Sequence, residues 1–281
     1  MNPSSAILSQ LNPDQQAAVV YNHGPILILA GAGSGKTRAL VHRAAWLIKK
    51  KKVSAENILL VTFTNKAAGE MKVRLKKLVG QVPPFTSTFH SFCARALRID
   101  GHFLGIPKNF SIYDQKDQLN TIKLAMAEIE VSSKQYKPRA ILGTISQAKN
   151  ELISATEYPQ YARGHFQTTT ARVYLTYRRL LMEFEALDFD DLLFETVRLF
   201  QKEKSVLTKY QNRFHHILVD EYQDTNQAQY VLTRLLAKKW RNLCVVGDAS
   251  QSIYAFRGAN YRNLTNLKKD FNSLNYVKSS I

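Results

Sequence analysis

The run Pro25-Ile26-Leu27-Ile28-Leu29-Ala30-Gly31-Ala32-Gly33-Ser34-Gly35-Lys36-Thr37 decides the fold of this chain. Its opening residues are apolar and rich in Ile and Leu, as in a strand buried on both faces of a parallel sheet. Glycines at 31, 33 and 35 then let the backbone turn sharply. Beyond Lys36, Leu40, Ala44, Leu47 and Ile48 recur at helical spacing. Strand, glycine-rich turn and helix in that order predict an α/β fold that takes its ligand at the carboxyl end of the strand.

Working outward, three further apolar stretches read as strands of the same parallel sheet: 58–63, 217–220 and 243–248. Each precedes a polar or glycine-bearing turn and then a helical pattern. From about His90 to Glu195 the texture changes. No comparable apolar strand occurs there, and amphipathic helical patterns such as 115–129 and 171–187 dominate. The expected organisation is one sheet domain made of 1–89 plus 196–281, interrupted by a mostly helical insertion at 90–195. The run Lys49-Lys50-Lys51-Lys52 closes the first helix, where cations suit the negative end of the helix dipole. It reads as a solvated helix end rather than a phosphate contact.

Composition narrows the partners. With 45% hydrophobic residues the 281-residue chain can bury a sizeable core. Thirty-nine Lys and Arg against 22 Asp and Glu leave a formal net charge of +17, a field that attracts polyanions and puts nucleic acid first among partners. Cys93 and Cys244 have neither metal-ligand spacing nor a disulfide framework, which suits a reducing compartment. The first residues lack the charged start and apolar run of a secretory signal. The most apolar run, 25–30, is far too short to cross a bilayer. A soluble, cytoplasmic protein with no membrane partner is expected.

The stretch Ala30 to Thr37 has the context that a phosphate-binding loop requires, directly after a strand and directly before a helix. Ala30, Gly31, Ala32, Gly33, Ser34 and Gly35 supply inward-pointing backbone N–H groups, and the helix N-terminus adds partial positive charge. Lys36 can reach β- and γ-phosphates, and the Thr37 hydroxyl can ligate Mg²⁺. Ala30 stands where the usual pattern has its first glycine. The second signal is Ile217-Leu218-Val219-Asp220-Glu221-Tyr222-Gln223-Asp224. A carboxylate at the tip of an apolar strand is where the other metal contact belongs, so Asp220 is the candidate Mg²⁺ residue and Glu221 the candidate general base. In the third, 245–259, Gln251 lies just past a strand end, where it could sense a γ-phosphate. Tyr254, Phe256 and Arg257 offer aromatic faces and a cation suited to stacking unpaired bases. Core packing of one or both aromatics is the plainer alternative.

Together these stretches resemble motifs of superfamily 1 helicases of the UvrD, Rep and PcrA type. The segment Leu11-Asn12-Pro13-Asp14-Gln15-Gln16-Ala17-Ala18-Val19 is similar to their adenine-reading Q motif. Thr62-Phe63-Thr64-Asn65-Lys66-Ala67-Ala68-Gly69-Glu70-Met71 resembles motif Ia, and Thr86-Ser87-Thr88-Phe89-His90-Ser91 the segment after it. The match runs in order from residue 11 to about residue 262. The resemblance implies an ATP-dependent 3′ to 5′ DNA helicase or translocase with a RecA-like sheet domain, acting in repair or replication. Gln15 would bond the adenine edge, Arg38 would lie close to the nucleotide, and Gln251 would couple γ-phosphate state to DNA grip. Phe63, Asn65, His90, Tyr254, Phe256 and Arg257 would bind single-stranded DNA, and the implied partners are single-stranded DNA and single-strand/duplex junctions. Phe256 stands where these helicases more often have Trp, which puts affinity rather than function in question.

Such motors have a second RecA-like domain that supplies arginines to the transferring phosphoryl group. Residues 1–281 correspond to the first, so alone they are expected to bind ATP weakly, hydrolyse it slowly and not unwind DNA. Two rival readings are a small-molecule P-loop kinase, which would show no DNA affinity, and a DNA-binding module that keeps the loop as a relic. The paired aromatics and basic excess disfavour the first. The intact Lys36, Thr37, Asp220 and Glu221 set disfavours the second.

Overall fold

A computed structural model describes residues 7–22, 24–31, 33–248, 261–271 and 275–278. The chain divides into two compact units, Met1–Phe92 with Lys204–Ile281, and Cys93–Glu203.

In the first unit the apolar run near residue 25 forms β1 (Ile26–Leu29) and the helix after it is α2 (Lys36–Lys49), preceded by α1 (Pro13–Val20). There follow β2 (Ile58–Thr62), α3 (Asn65–Val79), β3 (Phe85–Thr88) and the start of α4 (Phe89–Asp100). After the second unit come α9 (Lys204–Arg213), β6 (His216–Val219), α10 (Gln227–Ala237), β7 (Leu243–Gly247), α11 (Tyr261–Asp270) and β8 (Asn275–Lys278). The strands make one six-stranded sheet in the order β3-β2-β6-β7-β1-β8, and every pair is parallel. This is the mixed α/β architecture expected from the sequence, and it suits a RecA-like domain.

Burial on both faces explains the unbroken apolar strands. Ile26, Ile28, Ile58, Leu60, Leu218, Cys244 and Val246 point to one side and pack with Leu40, Val41, Ala44 and Leu47 of α2 and Met71 and Leu75 of α3. Their neighbours Leu27, Leu59, Val61, Ile217, Val219 and Val245 are equally buried. Local chemistry sets the helix ends. Asn12 caps α1 in a reciprocal box with Gln15, with Pro13 just inside the start. The Thr64 hydroxyl accepts the Ala67 N–H at 3.1 Å to open α3, and Gly80 at φ 70° closes it. At its other end α1 is held by Arg43 of α2, whose buried guanidinium donates to the carbonyls of Ala18 (2.8 Å), Val19 (3.3 Å) and Tyr21 (2.8 Å).

The second unit contains the rest of α4, then β4 (Ser111–Tyr113), α5 (Gln115–Glu128), α6 (Pro138–Asn150), α7 (Gly164–Glu183), β5 (Ala186–Asp188) and α8 (Phe189–Lys202). Ile122, Ile141, Ile145, Val173, Tyr177 and Leu181 form its core. Two features correct the sequence reading. Strands β4 and β5 form a short parallel pair within the mostly helical insertion, where no apolar strand was read. The helix expected over 171–187 begins at Gly164 and stops at Glu183, and Glu185 turns with φ 49°. The reason is Asp188. Its carboxylate accepts the Asp191 N–H at 2.8 Å and caps α8, so 186–188 are drawn into an extended run. Beneath that cap lies a buried ionic cluster. Lys149 Nζ stands 2.6 Å from Asp188 and 2.8 Å from Asp191, and the Tyr177 hydroxyl donates to Asp188 at 2.9 Å. Among the described residues no helix is long and apolar enough to cross a membrane.

Candidate functional site

The turns after β1, β6 and β7, which lie side by side, converge at the carboxyl edge of the sheet. A cavity of about 550 Å³ opens there, and its lining includes Gly33, Gly35, Lys36, Thr37, Arg38, Asp220, Glu221 and Asp248. Gly33 and Gly35 have φ of 76° and 81°, a region that costs an L side chain steric strain. At Gly35 a Cβ would also come within 3.1 Å of Gln15 Nε2. The glycines therefore serve both the turn and the close approach of α1.

Lys36, Thr37 and Asp220 meet although 183 positions separate the last two. The Thr37 hydroxyl donates to Asp220 Oδ2 at 3.0 Å. Lys36 Nζ donates to the carbonyls of Ala30 (3.2 Å) and Gly31 (2.9 Å) and to Asp248 Oδ2 (3.0 Å). Asp220 is almost wholly buried, and its Oδ1 has no hydrogen-bond partner. Burial, and next the neighbouring Glu221 charge, push its carboxyl up to about 6 against the pull of the Thr37 bond. An unpartnered buried carboxylate oxygen beside a threonine hydroxyl is a donor set that fits Mg²⁺, a hard cation that takes few protein oxygens and keeps water and phosphate for the rest. Among the described residues no cluster of His, Cys, Asp and Glu could hold a metal by protein ligands alone.

Glu221 stands at φ 49° and ψ 44°, a left-handed conformation uncommon outside glycine and Asn or Asp, and its residue lines the cavity. The adjacent Asp224 is also shifted up, by burial and then by Glu221. Gln15 faces the loop: its Nε2 donates to the Ser34 carbonyl at 2.7 Å while its Oε1 accepts the Asn12 N–H at 3.2 Å. Arg38 is exposed at the cavity wall and donates to the Gln10 carbonyl at 3.3 Å.

Of the residues assigned to the DNA path, Phe63 is half-buried against the edge of Phe89, with ring centroids 5.8 Å apart, and it also lines the cavity. Asn65 is exposed at the start of α3. His90 is half-buried, and burial lowers its pKa. Ala32, Gln251, Tyr254, Phe256 and Arg257 lie outside the described residues.

The structure brings in residues to which the sequence reading gave no role. Asp248 holds Lys36. Gln223 links Glu221 to the end of β7. Glu70 and Arg74 of α3 reach the same cavity. The signal for Asp248 was present, an acidic residue directly after an apolar run. Arg74 carried none, because its place depends on how α3 packs.

The profile of the UvrD/REP helicase N-terminal domain matches residues 11–272. The chain is 49% identical over 275 residues to the ATP-dependent DNA helicase PcrA of Staphylococcus aureus (strain Mu50), covering 97% of this chain and 38% of that protein. It is 50% identical over 270 residues to the protein of the same name from Bacillus subtilis (strain 168), covering 95% and 36%. The Staphylococcus epidermidis protein of that name is 48% identical over 269 residues, covering 95% and 37%. The chain thus spans somewhat more than a third of the length of these relatives. A match across nearly all its residues places the chain in the UvrD/REP helicase family, in its N-terminal part.

Proposed function

We propose that this chain binds ATP with Mg²⁺ and provides the hydrolytic half-site of a DNA helicase that moves 3′ to 5′ along a single strand. One observation carries the reading: Lys36, Thr37, Asp220 and Glu221 line one cavity, with the Thr37 hydroxyl on Asp220 at 3.0 Å. The name shared by the relatives, ATP-dependent DNA helicase, supports it.

Thr37 and Asp220 would hold Mg²⁺, which supplies charge neutralisation on the β- and γ-phosphate oxygens. Lys36 exchanges its bonds to Asp248 and the loop carbonyls for phosphate oxygens. Gly33, Ser34 and Gly35 offer backbone N–H groups to the same anion. Glu221 accepts one proton from the attacking water as that oxygen bonds to the γ-phosphorus. The bond from phosphorus to the β–γ bridging oxygen breaks, leaving ADP and phosphate. Gln15 and Arg38 border the loop where the base and sugar would emerge. Gln251 is assigned to γ-phosphate sensing. Phe63, Asn65, His90, Tyr254, Phe256 and Arg257 are assigned to single-stranded DNA and its junction with duplex. Work in DNA repair or replication, in the cytoplasm, follows from the helicase reading. Residues 1–281 alone are expected to turn over slowly, since an arginine finger is worth about 10³–10⁵ in rate and the family takes its arginines from the second sheet domain.

Titrating labelled ATP and labelled oligo-dT into wild type and Lys36→Ala tests this. ATP affinity should drop at least tenfold in the variant while oligo-dT binding persists and weakens steeply with salt. Equal ATP affinity in both proteins would remove the nucleotide assignment. Absence of oligo-dT binding would favour the kinase reading.

A further inference from the structure

The end of β6 and the end of β7 are joined by one side-chain amide. Gln223, 7% exposed, donates from Nε2 to Glu221 Oε2 at 2.7 Å and to Asp224 Oδ2 at 3.1 Å. Its Oε1 accepts the Asp248 backbone N–H at 3.0 Å. Chemistry fixes the orientation of that amide, because a backbone N–H can only donate and an ionised carboxylate can only accept. The contact is also close: a Cβ on Gly247 would sit 3.3 Å from Gln223 Oε1, tighter than most packing allows. Glycine at 247 is what lets the amide reach the strand.

The residue that this amide holds needs holding. Glu221 occupies the left-handed region at φ 49°, where a non-glycine backbone persists only when its surroundings over-determine it. The following turn, 222–224, is fixed by Thr225 Oγ1 donating to the Tyr222 carbonyl at 2.7 Å, and by Asn263 Nδ2 donating to the Thr225 carbonyl at 2.8 Å. Backbone anchors therefore set where Gln223 starts, and the amide sets where the Glu221 carboxylate ends. On the far side, the Asp248 whose N–H is held also takes Lys36 Nζ through its carboxylate. A continuous chain of contacts runs Lys36, Asp248, Gln223, Glu221.

We propose that Gln223 is a positioning residue for hydrolysis, which aims the Glu221 carboxylate at the attacking water and ties that aim to Asp248 and so to the state of Lys36. The inference rests on the nucleotide reading above, with Glu221 as base. Gln223 touches neither phosphate nor water in this scheme and acts through Glu221.

Steady-state ATP hydrolysis by the full-length protein separates this role from simple stabilisation. Gln223→Met keeps the bulk and removes all three bonds of the amide. Gln223→Glu keeps an acceptor for Asp248 N–H and removes the donor to Glu221. Each should lower kcat at least tenfold with KM for ATP within threefold of wild type. In a Glu221→Gln background the added Gln223→Met change should alter kcat less than twofold, as expected of residues acting through one group. If Gln223→Met fails to fold, the near-isosteric Gln223→Glu carries the test. Wild-type kcat in a folded variant, or a KM that rises in step with the fall in kcat, overturns the positioning role alone. Unimpaired hydrolysis by Lys36→Ala or Glu221→Gln overturns the nucleotide reading and this inference with it.

Discussion

Replacing Lys149 with Met tests how the second unit holds its ionic cluster. The ammonium is 1% exposed and bridges Asp188 at 2.6 Å and Asp191 at 2.8 Å. Burial opposes the Asp188 charge, yet the Lys149 ammonium and the bonds around it hold that carboxyl below its usual range. Asp191 behaves oppositely, pushed up to about 7 by burial and by Asp188. Methionine matches the stem of the lysine but strands the Asp188 charge, with only Tyr177 and the Asp191 N–H left to solvate it. Orphaning one member of a buried pair costs about 3–5 kcal/mol. Because the Tyr177 hydroxyl and the Asp191 N–H still bond the Asp188 carboxylate, the lower end applies, about 3 kcal/mol. With a urea m-value of roughly 2 kcal/mol per M, the midpoint should fall by about 1.5 M. The stranded carboxyl now has a folded pKa raised above its unfolded value. Its penalty is absent below the unfolded pKa and grows as pH rises through the folded one, so the deficit should be smaller at pH 5 than at pH 8. Adding Asp188→Asn, which keeps the helix cap and loses the charge, should recover at least half of it. A deficit under about 1 kcal/mol at pH 8, or one that does not shrink on acidification, would refute this account.

Arg43→Met should cost about 1–3 kcal/mol by leaving carbonyls of Ala18, Val19 and Tyr21 unpaired in a buried place; amide exchange in Pro13–Val20 should quicken, and unchanged protection there would contradict it. His216 has its pKa depressed to about 4, first by burial and then by Arg43 and His215. Its folded value lies below its unfolded 6.5, so its contribution is complete above 6.5 and is lost as pH falls toward 4. His216→Gln should therefore gain on wild type by up to about 1.4 kcal/mol per pH unit across that window; parallel stability–pH curves for the two proteins would exclude it.

The legible parts of the fold were those where one stretch of chain suffices. β1, β2, β6 and β7 are nearly all apolar because both faces are covered, and their composition alone marks them. β3 reads Phe-Thr-Ser-Thr, and its buried Thr86 and Thr88 give no apolar run to mark it. β8, at the other edge, and the short β4 and β5 are set by pairing partners distant in sequence. The site divides likewise. Lys36 and Thr37 follow from a local turn, and Asp220 and Glu221 from a strand tip. The roles of Asp248 and Gln223 emerge only when β6 and β7 are laid side by side. The Lys149 cluster joins residues 39 positions apart and left no local pattern. The stacking surface assigned to Tyr254, Phe256 and Arg257 lies beyond the described residues.

Helix α1 is riveted at head and tail, by Gln15 to the Ser34 carbonyl and by Arg43 to its last carbonyls. A rod pinned twice can neither roll nor slide by itself. Any displacement of the loop at Ser34 must therefore be carried by the whole of Pro13–Val20. Ala17, on the exposed side of that rod, is then a pointer whose swing outside reports what happens at the loop inside.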